Sequence, residues 1–123
     1  MKKRVANKWI KALKSGEYKQ TTGHMTVTDF MGTSSFCCLG VLTNLYVEEN
    51  GLKGFTVDEK DDWIKRDGVN DEGEGKLNNA VIKWSGMKSS TGRLGKGSLS
   101  DMNDSGISFN FIANLIKDNV EKL

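Results

Sequence analysis

Residues 36–46 read FCCLGVLTNLY, and this stretch decides how the rest of the chain can fold. It is the longest nearly continuous apolar run, and only three residues interrupt it: Gly40, Thr43 and Asn44. A run of this length cannot cross a bilayer, which needs roughly 20 apolar residues. Its apolar residues recur at helical spacing, which predicts a central core helix from about Phe36 to Glu48. We expect Ser34 or Ser35 to cap this helix and Asn50-Gly51 to end it.

Gly40 stands inside this predicted helix, where glycine is about 1 kcal/mol less favourable than alanine. A glycine at such a position either admits a close neighbour or marks a junction between a strand and a helix.

Length and composition indicate one domain over residues 1–123. The chain is 37% hydrophobic and 28% charged, which is ordinary for a globular protein and argues against disorder. The first 30 residues contain no apolar signal-peptide core, and no later segment is long enough to span a membrane. We therefore expect a cytoplasmic protein that makes no membrane contact.

The remaining elements predict an α+β fold, with three main helices packed around a small antiparallel β-sheet. Residues 3–15 and 109–120 carry apolar residues at helical spacing, and Ser108 is a natural cap for the second of these helices. Residues 77–84 form a shorter helix that Ser85-Gly86 ends. Residues 17–30 alternate in the manner of two short strands, which predicts a hairpin about Gly23-His24.

Charge is distributed unevenly along the chain. Residues 1–20 contain seven basic residues and one acidic residue, whereas residues 48–74 contain ten acidic and four basic residues. Such segments attract each other within the fold or between copies, or they present a basic face to an anion. For residues 51–75 we expect one or two short strands or an acidic loop.

Cys37 and Cys38 are adjacent, so we expect reduced thiols, because a disulfide between neighbouring residues is strained. Two thiols and the single His24 do not supply the four ligands of a structural zinc site. A nucleophilic cysteine with His24 as its base is conceivable, but a buried cysteine is more often a small core residue.

Several polar residues form candidate ligand contacts. Tyr18-Lys19-Gln20 offers a stacking surface, a cation and an amide. Asn103-Asp104 precedes a predicted helix, where turn and capping chemistry explains it, although a pair facing a ribose would look the same. The segment 88–98 reads KSSTGRLGKGS and lacks a P-loop motif. The basic residues show no helix-turn-helix spacing, so nucleic-acid binding is not expected.

Four blocks together resemble a family of small phage and prophage proteins: WIKALKSGEYKQ (9–20), FCCLGVLTNLY (36–46), AVIKWSGM (80–87) and LSDMNDSGISFNFIANLIKDNV (99–120). Members of that family carry W-x-x-A-L-x-S-G-x-Y-x-Q, F-C-C-L-G-V-L and L-N-D-x-G-x-S-F-x-x-I-A. The chain departs from this pattern at Met102, where leucine is usual. The resemblance implies a viral protein that acts in the host cytoplasm, in counter-defence or immune evasion.

Two modes of counter-defence follow from this resemblance, and neither needs catalysis or a cofactor. In the first, the protein is a sponge that binds and sequesters a nucleotide immune signal, either cyclic ADP-ribose-like or a cyclic oligonucleotide. Its candidate ligand-binding residues are Lys14, Tyr18, Lys19, Gln20, Trp84, Arg93, Asn103 and Asp104. A pocket of this kind favours a homo-oligomer.

In the second mode, the protein binds and occludes a host immune protein, such as a CRISPR effector. The contact would then be the acidic loop with Trp63, or residues 88–98. An enzyme is the third possibility, but no recognised catalytic spacing appears, and no catalytic or metal-binding residue is assigned.

Overall fold

The computed structural model describes residues 1–52 and 76–123. The predictions made for residues 53–75, including a contact through Trp63, lie outside the described residues.

The described residues contain five helices, a three-stranded sheet and a two-stranded sheet, which confirms the α+β class. The helices are α1 (Lys3–Lys14), α2 (Cys38–Glu49), α3 (Asn79–Ser85), α4 (Leu99–Asp104) and α5 (Phe109–Asp118). The strands are β1 (Lys19–Gln20), β2 (Thr26–Thr28), β3 (Ser34–Phe36), β4 (Arg93–Leu94) and β5 (Gly97–Ser98).

Helix α2 is the centre of the core, as its apolar run predicts. All residues of α2 from Cys38 to Asn44 are buried, and α1, α3, α4 and β3 pack around it. Helix α1 places Val5, Ala6, Trp9 and Leu13 on its buried face. The indole Nε1 of Trp9 donates to the backbone oxygen of Cys38 at 2.9 Å, which fixes α1 against the start of α2.

Glycine at position 40 is required by a close approach between α2 and the chain before β2. A Cβ atom built on Gly40 would lie 1.9 Å from the backbone oxygen of Met25, so no larger residue fits. That oxygen also accepts the N–H of Cys37 at 3.0 Å. Of the two alternatives for Gly40, the structure shows the close neighbour, which is a backbone carbonyl.

The predicted start of the central helix is wrong. Residues 34–36 form β3, and the helix begins at Cys38 with Cys37 as its N-cap. The Cys37 side chain accepts the backbone N–H of Gly40 at 3.3 Å, so a thiol replaces the expected serine hydroxyl. The predicted end is confirmed, because Asn50 is the C-cap and Gly51 has a φ of +67°.

The predicted hairpin about Gly23-His24 is also wrong. Strands β1 and β2 do not pair with each other, because β3 lies between them. Strand β1 is parallel to β3, with Gln20 opposite Phe36, whereas β2 is antiparallel to β3, with Val27 opposite Ser35. The sheet is therefore mixed rather than purely antiparallel, and the true hairpin joins β2 to β3.

The C-terminal half follows the predictions with two additions. Ser108 caps α5 by accepting the N–H of Phe111, as expected. Asn78 caps α3, and the left-handed Gly86 ends it. One addition is the antiparallel pair of strands β4 and β5, within the segment 88–98. The other is α4, a six-residue helix that Ser98 caps and that packs against α2 and α5.

Candidate functional site

Asn103, the most buried of the predicted ligand residues, is the centre of a hydrogen-bond network. It lies in the last turn of α4 and has no solvent exposure. Its Oδ1 atom accepts the backbone N–H of Cys38 at 3.1 Å and the side-chain amide of Gln20 at 2.9 Å. Its Nδ2 atom donates to the backbone oxygen of Thr21 at 2.8 Å. One side chain thus joins α4, the start of α2 and the segment after β1.

Gln20 and Asp104 complete this network. The Gln20 amide also donates to the backbone oxygen of Ile107 at 2.7 Å, so both hydrogens of its Nε2 atom have acceptors within the protein. Asp104 accepts the backbone N–H of Gly23 at 2.8 Å, which holds the turn between β1 and β2. The structure therefore brings Gln20, Asn103 and Asp104 together, and it engages them in internal hydrogen bonds.

Tyr18 lies beside this network, immediately before β1. Its ring packs edge-on against Phe36, with centroids 5.1 Å apart, and its hydroxyl accepts from the side-chain amide of Asn44 at 2.9 Å. Asn44 also donates to Glu48 at 3.0 Å. The Tyr18 ring is therefore part of the packing between β1, β3 and α2.

The remaining predicted ligand residues do not lie in one place. Lys14 donates to Asn114 at 2.8 Å and joins α1 to α5. Lys19 is exposed on β1, and Arg93 is exposed on β4. Trp84 lies on α3, where its ring packs edge-on against Tyr46 and its Nε1 atom donates to Glu49. The eight predicted residues therefore do not form a single pocket within one chain.

Glu49 is a polar junction that the sequence reasoning missed. It accepts from Arg4 at 2.6 Å and from Lys8 at 3.0 Å, in addition to Trp84. These hydrogen bonds, first from Arg4 and then from Lys8, lower the pKa of Glu49 to about 2. Two basic residues of α1 thus pair with an acidic residue at the C-terminus of α2. We call Arg4, Lys8, Glu49 and Trp84 the Glu49 cluster, and it joins α1, α2 and α3.

The adjacent cysteines are packed in the core as free thiols. The Cys38 thiol donates to the backbone oxygen of Leu99 at 3.5 Å, and burial raises the pKa of this thiol well above its usual value. A nucleophilic cysteine needs the opposite shift, because the thiolate is the reactive form. Among residues 1–52 and 76–123, no cluster of three or more His, Cys, Asp or Glu side chains could hold a metal ion.

Among residues 1–52 and 76–123, the most exposed apolar side chains lie at the turn between β2 and β3. Phe30 is 98% exposed and Met31 is 76% exposed. The turn is held by hydrogen bonds to Asp29, whose Oδ1 atom accepts the backbone N–H groups of Met31 and Thr33, each at 2.9 Å. The Asp29 backbone N–H also donates to the backbone oxygen of Thr33 at 3.0 Å. We call residues 29–33 the hairpin tip.

The sequence signal for the hairpin tip is DFMGT, residues 29–33. An aspartate followed three residues later by glycine is typical of a turn in which the Asp side chain binds backbone amides. Gly32 has a φ of +84°, and its N–H donates to the backbone oxygen of Asp29 at 3.0 Å. The alternation of residues 17–30 predicts a hairpin about Gly23-His24 instead, and this prediction hides the turn at residues 29–33.

A family model described as a domain of unknown function, DUF8296, matches residues 1–120. The chain belongs to this family. The match spans the network around Asn103, the Glu49 cluster and the hairpin tip, so all three lie within the DUF8296 domain. No curated protein matches the chain, and no solved structure matches it either. In the described part of the DUF8296 domain, no helix is both long and apolar enough to cross a membrane.

Proposed function

We propose that this protein is a non-catalytic binding protein that acts in phage counter-defence by occluding a bacterial immune protein. The hairpin tip is the contact that anchors it to this partner. The observation that carries the proposal is the near-complete exposure of Phe30 and Met31 on a turn held by four hydrogen bonds.

Two adjacent large apolar side chains on a fixed turn differ from the scattered exposed apolar residues of ordinary surfaces. Phenylalanine has a large apolar surface and few rotatable bonds, so it loses little conformational entropy when a partner buries it. The hydrogen bonds that Asp29 accepts from Met31 and Thr33 hold the backbone of the turn before binding, which reduces the entropy lost on association. These properties are typical of residues that dominate the energy of a protein–protein interface.

The charge at the tip favours a protein pocket over a lipid surface. Asp29 is exposed and carries a carboxylate next to Phe30. Cytoplasmic leaflets are negatively charged and attract basic rather than acidic segments. The hairpin tip is therefore better matched by an apolar pocket on a protein, with a cation or a backbone N–H donor nearby, than by a lipid surface.

Sequestration of a nucleotide signal stays a prediction. It would require Gln20 and Asn103 to leave the hydrogen bonds that hold β1, α2 and α4 together. Because such buried groups are expensive to leave unpaired, a pocket built on them within one chain is less favourable than a contact at the exposed tip.

The proposal is tested by phage plating on bacterial strains that each carry one defence system. Expression of the protein should restore plaque formation on at least one strain. The double variant Phe30→Ser/Met31→Ser should lose this effect, because it removes the apolar anchors and leaves Asp29 in place. The control is Phe111→Ser, because Phe111 is 55% exposed on α5 and far along the chain from the tip. Equal protection by the tip variant and the unchanged protein would contradict the proposal.

A further inference from the structure

A groove lies between α1 and the end of the chain. Its volume is about 670 Å³, within the roughly 300–1,000 Å³ range of ligand-binding clefts. Lys3, Asn7 and Ile10 line one wall from α1, and residues 117–122 line the other. The apolar side chains in it are Met1, Ile10 and Val120, which are only partly buried against the core.

The charged residues of this groove are mostly basic. Lys3, Lys117 and Lys122 line it together with the acidic Asp118 and Glu121. None of the three lysines makes an ion pair with a residue in the described part of the chain. The groove therefore combines three apolar side chains with three lysines, one more than its acidic side chains, and none of these charged side chains has an ion-pair partner among residues 1–52 and 76–123.

The hairpin tip has the complementary properties. Phe30 and Met31 are apolar and exposed, and Asp29 adds one negative charge. The Oδ1 atom of Asp29 is occupied by two backbone N–H groups, and its side chain makes no ion pair within the described residues. Two side chains of this size fit within a groove that could hold a drug-sized ligand.

The hairpin tip of the same chain does not line the groove. Strand β3 runs from the tip into the N-terminus of α2, through Cys37. The groove lies beside the N-terminal half of α1, which pairs through Arg4 and Lys8 with Glu49 at the C-terminus of α2. Contact between this tip and this groove is therefore a contact between two copies.

We propose that the groove receives the Asp29–Met31 tip of a second copy, so that the protein self-associates head to tail. Phe30 and Met31 enter the groove against Ile10 and Val120, and Asp29 faces the lysines at its rim. Such a contact uses different surfaces on the two copies, so a copy whose tip is bound still offers its own groove, and assembly can continue into rings or chains. Because the contact is small, its occupancy depends on protein concentration.

The experiment is sedimentation velocity over a series of protein concentrations, with two variants that each remove one half of the contact. Phe30→Asp disables the tip. Asn7→Trp fills the groove from an exposed position on α1. The unchanged protein should form species larger than a dimer as concentration rises, and each variant alone should remain a monomer.

The decisive sample is an equimolar mixture of these two variants. The Asn7→Trp chain retains an intact tip, and the Phe30→Asp chain retains an intact groove. The mixture should therefore form a dimer and nothing larger. A monomeric mixture, an unchanged protein that stays monomeric, or variants that assemble like the unchanged protein would each overturn the proposal. Circular dichroism of each variant shows that a loss of assembly is not a loss of folding.

A charge variant tests the contact between Asp29 and the lysines. Asp29→Asn retains the Oδ1 acceptor that orders the turn and removes only the negative charge. It should weaken self-association by about 2- to 5-fold, the effect of one exposed ion pair, and high salt should abolish this difference. If Asp29→Asn assembles as well as the unchanged protein at every salt concentration, the proposed contact between Asp29 and the groove lysines is disproved.

This inference does not rest on the proposed function, because no host protein is present in the sedimentation experiment. The Asn7→Trp variant separates the two ideas in cells. It should lose self-association and keep its effect on phage plating, because its tip is intact.

Discussion

The side-chain amide of Gln20 lies 2.9 Å from the Oδ1 atom of Asn103, and that oxygen also accepts the backbone N–H of Cys38. Residues separated by 83 positions in the sequence thus converge on one buried atom next to the start of α2. Because Asn103 has no solvent exposure, water cannot replace a lost hydrogen bond at this position. The network is therefore a structural feature that fixes β1 and α4 on the central helix.

Replacement of Asn103 should destabilise the protein strongly. Asn103→Ala leaves the N–H of Cys38, the Gln20 amide and the Thr21 oxygen without their partner. We expect the free energy of unfolding to fall by about 3 kcal/mol, measured by urea denaturation. The matched control is Asn110→Ala, at an exposed position of α5. This variant should change the free energy of unfolding by less than about 0.5 kcal/mol. A similar small effect at both positions would contradict the role given to Asn103.

Gly40 should tolerate no side chain. In Gly40→Ala, the added methyl group would overlap the backbone oxygen of Met25, so the start of β2 or the helix α2 must move. We expect a loss of about 3 kcal/mol or failure to fold, measured by thermal unfolding.

The control for this prediction is Gly97→Ala. A Cβ atom at Gly97 meets nothing within 4 Å, and the residue has no positive φ. The Gly97→Ala substitution should change the free energy of unfolding by less than about 0.5 kcal/mol. If Gly40→Ala were as stable as Gly97→Ala, the close approach to Met25 would be disproved.

The Glu49 cluster should make stability depend on pH in the acidic range. Hydrogen bonds from Arg4 and Lys8 lower the folded-state pKa of Glu49 from 4.5 to about 2. A carboxylate with a lowered pKa contributes stability above its unfolded pKa and loses this contribution as pH falls toward its folded pKa. The advantage of the unchanged protein over Glu49→Gln should therefore be full above pH 4.5 and disappear by about pH 2.

The size of this effect is limited by solvent screening, because the Glu49 side chain is 29% exposed and Arg4 is 58% exposed. We expect the free energies of unfolding of the unchanged protein and Glu49→Gln to differ by at most about 1 kcal/mol, and by less in high salt. Urea denaturation of both proteins at several pH values measures this difference. Glu17→Gln is the control, because Glu17 is exposed and makes no ion pair among the described residues. A pH-independent difference between the unchanged protein and Glu49→Gln would contradict the assignment.

The two cysteines should be unreactive in the folded protein. Both are buried, and burial raises the pKa of the Cys38 thiol, so little thiolate is present at neutral pH. Labelling with a chromogenic disulfide reagent should be slow in the native protein and should reach two thiols per chain only in denaturant. Rapid native labelling of one thiol would instead support a nucleophilic cysteine.

The sequence predicts those parts of the fold that local patterns determine. The apolar spacing of α1 and α5 and the Ser108 cap are properties of nearby residues, and all are confirmed. The start of α2 was misplaced because an apolar run extends through Phe36 into a three-residue strand that has no period of its own. Helix α4 was missed because six residues are too few to show helical spacing.

The candidate sites were harder to predict because they depend on long-range contacts. Nothing in the neighbourhood of Gln20 indicates that its amide meets Asn103 and Ile107, so it was assigned to a ligand. Conversely, Phe30 and Met31 look like ordinary strand residues in the sequence. Only the pairing of β2 with β3 places them at an exposed turn.

The most direct test of a protein-binding tip is photo-crosslinking in bacterial cells that carry the targeted defence system. A photoreactive phenylalanine analogue at position 30 should form a covalent adduct with one discrete host protein of that system. The same analogue at position 111 should form no such adduct, although that side chain is also exposed. An adduct from position 30 alone would establish the tip as the contact. Identical patterns from both positions, or no adduct with any protein of the defence system, would contradict the account.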